Sequence, residues 1–236
     1  MELDILAIAA HPDDVELCCS GTLSKQIKAG YKVGVVDLTQ GEMGTRGSAE
    51  IRLQEADDSA KALGLALREN LKMDDAFFTN DQEHQLRIVE VVRRFRPRIV
   101  ITNAVDDRHP DHGRASSLVS DAVFYAGLPK VKGQNREEEA WRPEFLLHFI
   151  QDRYITPDLV VDISEHFEKK METIRCFRSQ FYDPLSDEPE TPLSRSDFLD
   201  FVEARAREFG RPIGAEFGEG FTTERAMGVP DLGLLY

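Results

Sequence analysis

The sequence predicts an α/β fold, a mainly parallel sheet with helices on both faces. Apolar runs of strand length alternate with longer amphipathic stretches, helical stretches stop at glycine or at the proline of "RPR", and two polar clusters rich in His and Asp directly follow apolar runs. Parallel strands need crossover connections, and helices supplying them cover the sheet. "LDILAIAA" (3–10) is the first expected strand, and "VELCCSGTLSKQIKAG" (15–30) is a helix closed by Gly30 as a C′ residue. "YKVGVVDL" (31–38) is the second strand, followed by a long helix at 48–64 that Gly64 ends. A short segment around "LRENLKM" leads to a helix at 82–95, stopped by "RPR", and then to the strand "RIVITNAV" (98–105).

Residues 115–125 are helical in pattern, and the polar "KGQNREEEAW" (132–141) is expected to be a loop or flap. Two further strands, 144–150 and 158–163, precede a helix for which Ser164 is the expected N-cap. A proline-rich turn, a helix at 195–209 and an irregular tail complete the chain, with no internal repeat.

At 236 residues, one domain spanning 1–236 is expected. Net charge is −14, which disfavours nucleic acid and anionic membranes as partners. No apolar run approaches the roughly 18 residues of a membrane span. The first residues lack a basic n-region, so they are expected to form a strand rather than a leader, and the protein is expected in the cytoplasm. Cys18, Cys19 and Cys176 contain no CxxC pair and are expected as reduced core thiols. Neighbours on a helix point about 100° apart and rarely share an ion.

The chemistry concentrates in "HPDD" (11–14) and "DDRHPDHGRAS" (106–116), each just beyond an expected strand. In parallel sheets, ligands bind beyond the carboxyl ends of the strands. His11, Asp14 and His112 form a two-His, one-Asp set of the kind that holds catalytic zinc with a position left for water. Asp13, beside a ligand but directed elsewhere, suits the general base. Asp111 would orient His109 and favour its charged form, ready to stabilise an oxyanion or protonate a leaving amine. An aspartate at a strand-to-helix junction also serves as an ordinary N-cap, and a lone HPDD is equally read that way. Two such clusters at successive strand ends favour the metal.

"AHPDDVE", "GEMGTRG" with "EIRLQEA", and "DRHPDHGRAS" resemble the LmbE-like, or PIG-L, zinc-dependent deacetylases. The resemblance continues through "VDISEHFEKKMETIRCFRSQF" and "EARAREFGRPIGAEFGEGF". It implies a Rossmann-like fold, one Zn²⁺ per chain on His11, Asp14 and His112, Asp13 as base, and His109 with Asp111 as the electrophilic partner. Within the family the chain is most similar to deacetylases of N-acetylglucosaminyl malate in bacillithiol biosynthesis. A sugar-conjugate substrate and a homo-oligomer, hexamers among the possibilities, are thereby implied. Arg52 and Arg108 match arginines that contact substrate in relatives, and Arg46 lies in a glycine-flanked loop at another strand end. By its position alone, Arg52 could instead pair with Glu50 or Glu55.

Gly41, Gly44 and Gly47 lack phosphate-loop spacing and suit a flexible substrate loop. His148 is expected as a buried structural histidine or a pocket-lining one, and His84 and His166 as surface residues. The alternatives are a deacetylase of another N-acetylglucosamine conjugate, an amidase of thiol adducts, or a non-catalytic sugar- or nucleotide-binding module.

Overall fold

The computed structural model describes residues 1–133, 139–229 and 231. The centre of the expected flap, 134–138, lies outside them. Seven strands form one sheet: β1 (Ile5–Ala9), β2 (Val33–Thr39), β3 (Leu67–Met73), β4 (Ile99–Thr102), β5 (Phe145–Phe149), β6 (Leu159–Asp162) and β7 (Gly218–Thr223). Their order is β3-β2-β1-β4-β5-β7-β6. The first five run parallel, and β7 is antiparallel to both β5 and β6. Helices α1 (Asp14–Lys28), α2 (Ala49–Leu63), α3 (Gln82–Phe95), α4 (Pro110–Ala126), α5 (Phe167–Ile174) and α6 (Phe198–Gly210) complete the fold.

Side chains along β1 alternate between two cores, as a strand's period of two requires. Leu6 and Ile8 join Val36, Ile88, Val92, Leu118 and Val119 beneath α3 and α4. Ile5, Ala7 and Ala9 join Val15, Cys19, Leu23 and Val35 beneath α1. β1 is therefore covered on both faces, and both Cys18 and Cys19 are buried thiols held protonated by burial.

Two strands depart from the expected pattern. "LRENLKM" is an edge strand, β3, whose Arg68 is directed inward: it donates to both oxygens of Asp37 at 2.9 and 3.0 Å and to Glu16 Oε1 at 2.6 Å. The tail expected to be irregular contains β7. Gly220 there leaves room for Phe209, whose ring would lie 3.0 Å from a Cβ. α4 starts at Pro110, earlier than its apolar pattern suggests, because the proline occupies the first turn, where no amide proton is needed. Ser164 is no helix cap: it opens a single 3₁₀ turn, and its hydroxyl donates to Asp162 and accepts from the amides of Glu216 and Phe217.

Strand order reverses between β1 and β4. The crevice beyond their carboxyl ends is where such sheets bind ligands, and it is there that residues 11–14 and 107–112 meet. No helix among the described residues is long and apolar enough to cross a membrane.

Candidate active site

β1 delivers His11 to Asp14, and β4 delivers Asp107 to His112. The chain leaves β1 through Asp13, whose φ of 117° is a conformation that L-residues rarely hold without surrounding support. That support is Arg52, on α2, which donates to Asp13 Oδ2 at 2.9 Å and to the Pro12 carbonyl at 2.6 Å. Gly41 makes the approach possible, since a Cβ there would lie 1.9 Å from Arg52 Nη1. Asp13 stands at the N-cap position of α1 but its side chain caps nothing, so helix capping does not explain it.

The three expected metal ligands lie together. Asp14 contacts His11 Nδ1 at 3.5 Å and His112 Nε2 at 3.2 Å, and the two rings are 5.4 Å apart. Asn103 and Gln151 fix the Asp14 carboxylate, each donating an amide proton to one of its oxygens at 3.0 and 2.9 Å. Asp107 holds the far nitrogen of His112, the carboxylate–histidine arrangement that orients metal-ligating imidazoles. One nitrogen each from His11, His109 and His112 falls within 4.8 Å of the others, and so do atoms of His11, Asp75 and Asp111.

Charge is concentrated here. Asp13, Asp14, Asp75, Asp107 and Asp111 are all at least nine-tenths buried, with Arg52 and Arg114 as the neighbouring fixed cations. Burial disfavours protonated His112, yet Asp14 and Asp107 outweigh it and raise its pKa to about 9. His11 is likewise raised against burial by Asp111, Asp14 and Asp75. An anionic pocket with imidazole and carboxylate donors suits a divalent cation. Asp14 stays well below the usual carboxylate range despite burial, held there by His112 and His11. Asp13 goes the other way: burial lifts it to about 7, with Arg52 restraining the rise.

The structure corrects the expected His109–Asp111 pair. The Asp111 carboxylate faces His11 Nε2 at 3.3 Å, accepts from Arg114 at 2.6 Å and accepts from the Ala76 amide at 2.9 Å. What orients His109 is the Asp111 backbone amide, which donates to its Nδ1 at 3.3 Å. Asp111 sits in the first turn of α4, where amides lack helical partners and bond to a cap. Nδ1 accepts, so the proton of neutral His109 resides on Nε2. Burial and the neighbouring His11 and His112 lower its pKa.

A cavity of about 370 Å³ contains His11, Asp13, Asp14, His109 and His112 among its walls. Arg46, Arg52 and Arg108 line it too, but each is engaged by protein. Arg46 donates to the carbonyls of Ser179 and Pro189 and to Ser186, and Arg108 pairs with Asp152 at 3.2 Å. Gly41, Gly44 and Gly47 belong to a loop that Arg52 and Gln180 hold, and Gly44 with Arg46 lines the cavity.

His148 is buried between Ser116 and the Asn103 carbonyl, outside the cavity walls. His166, expected at the surface, is buried against Ser24, whereas His84 is partly exposed and paired with Asp81. Asp75, Asn103 and Gln151 were not anticipated from sequence. Asp75 follows β3, so missing that strand hid the carboxylate at its end.

Residues 6–123 match the family described as PIG-L, GlcNAc-PI de-N-acetylase. A diacetylchitobiose deacetylase of Thermococcus kodakarensis is 32% identical, with 92% of this chain and 81% of that one covered. A probable N-acetyl-α-D-glucosaminyl L-malate deacetylase 2 of Bacillus cereus is 28% identical over 79% of this chain and 88% of its own. The crystal structure of a conserved protein from Thermus thermophilus superposes with a TM-score of 0.86 at 34% identity, covering 97% of this chain and 98% of that chain.

Proposed function

Since the chain belongs to the PIG-L family of de-N-acetylases, we propose that it hydrolyses the acetamide of an N-acetylglucosamine conjugate, with zinc held by His11, Asp14 and His112. The observation that carries this reading is Asp13. A carboxyl group strained at φ 117° and titrating at about 7, on the wall of a His/Asp cavity, is matched to proton transfer near neutral pH. Zinc bound there would polarise the acetamide carbonyl and acidify the attacking water.

Asp13 takes a proton from that water as its oxygen bonds to the carbonyl carbon. The Nε2–H of His109 donates to the carbonyl oxygen while negative charge develops on it, a task that a neutral donor performs without an added charge. Asp13 then returns its proton to the amide nitrogen as the C–N bond breaks, giving acetate and the free amine.

The relatives include a deacetylase named for diacetylchitobiose and a probable one for the malate conjugate expected from sequence. The likeness to the disaccharide enzyme is the greater in identity. Acetate and amine release by zinc-loaded protein from both conjugates tests the reading. Asp13→Asn should retain one zinc per chain and lose at least about 100-fold in kcat. Normal turnover by that variant would remove Asp13 as base.

A further inference from the structure

The cavity extends well beyond what an acetamide fills. Its far wall is apolar, built from Ile150, Leu193 and the α6 residues Phe198, Phe201, Val202 and Phe209. Phe201 remains 40% exposed on this wall, a large aromatic left open in a cavity that also contains the His/Asp centre. This wall is tied to the proposed zinc ligands through one arginine. Arg205 donates to the carbonyls of Gln151 and Asp152 at 2.8 and 3.1 Å, and its guanidinium lies 5.2 Å from the Phe201 ring centre. Gln151 in turn bonds Asp14.

The buried and mostly buried basic residues lining the cavity are already engaged. Arg46, Arg52 and Arg205 direct their donors to carbonyls and buried partners, and Lys170 donates to Glu219 and to the Leu17 carbonyl, both at 2.7 Å. Arg108, at the rim, faces Asp152, whose negative charge opposes a second anion. Among these cations only Arg108 is half-exposed, so a dicarboxylate would meet one accessible cation here.

We propose that the α6 side of the cavity is a subsite for an uncharged, apolar substituent on the substrate's sugar, of the aryl or alkyl glycoside class. The proposal rests on the deacetylase reading for its sugar and deepens it by naming the class of the second half. Phe201 is its specificity-determining residue: the apolar group lies against the Phe201 ring while the acetamide reaches the His/Asp centre.

Isothermal titration of the zinc-loaded Asp13→Asn full chain with the methyl, phenyl and malyl glycosides of N-acetylglucosamine, all of one anomeric configuration, tests this. The phenyl glycoside should bind about tenfold tighter than the methyl one, from burial of its ring. The malyl glycoside should bind no tighter than the methyl one. Adding Phe201→Ala should reduce the phenyl-to-methyl ratio to about threefold or less, and because the ratio is internal to one protein, a general loss of binding does not mimic the effect. Equal affinities, a malyl glycoside that binds tightest, a ratio unmoved by Phe201→Ala, or no binding at all would each overturn the subsite. Acetate release from the methyl glycoside by wild-type protein is scored separately, so failure of the deacetylase reading is distinguishable from failure of the subsite.

Discussion

Asp13 and Arg52 form the most informative pair at the residue scale. Burial raises the Asp13 pKa to about 7, and the Arg52 charge holds it from rising further. Arg52→Ala should therefore shift the acid limb of the kcat/KM profile upward by about one unit or more. Activity at pH 6 would fall more than activity at pH 8, a pattern that simple loss of folded protein does not produce. The same substitution leaves Asp13 buried without its partner and should lower unfolding stability by about 3 kcal/mol, measured by urea denaturation. That His11, Asp13, Asp14, His109 and His112 share one cavity is legible in the sequence because each stands within a short motif at a strand end. The direction of the Asp111 side chain is not, since the Ala76 amide and the His11 ring that it faces come from distant parts of the sequence.

Among the elements, β4 and the turn after β5 support the centre from behind. Asn103 accepts from the Ala10 amide at 2.8 Å and donates to both Asp14 and Gln151, so one amide sets the spacing of β1, β4 and the segment after β5. Asn103→Ala should weaken affinity for the proposed zinc about 10- to 100-fold, read by competition with a chromogenic chelator, with His11, Asp14 and His112 all intact. Strands with unbroken apolar runs, such as β1 and β2, could be recognised from sequence. β3 could not, because Arg68 and Glu69 interrupt it and the compensating charges Asp37 and Glu16 lie on other elements. β7 was hidden by its glycines, whose small size answers to Phe209 on a helix that packs against it.

Over the whole molecule, the acidic centre makes stability depend on what neutralises it. His112 titrates at about 9 when folded, above the ordinary 6.5. Its protonated form therefore adds stability below about pH 6.5, and that contribution, on the order of 3 kcal/mol, is lost as pH rises through 9. Metal-free protein should melt at progressively lower temperature across this window, while zinc, replacing those protons, should flatten the profile. Differential scanning calorimetry with and without chelator checks both slopes. The reversal of strand order between β1 and β4 adds a mechanical consequence. The proposed ligands come from opposite sides of the seam between the parallel strands β1 and β4, so an ion joining them would act as a clasp across a loop of nearly one hundred residues. Amide hydrogen exchange along β1 and β4 should then slow on metal binding more than exchange along the distant β6, with the seam, rather than the edges, setting how the molecule opens.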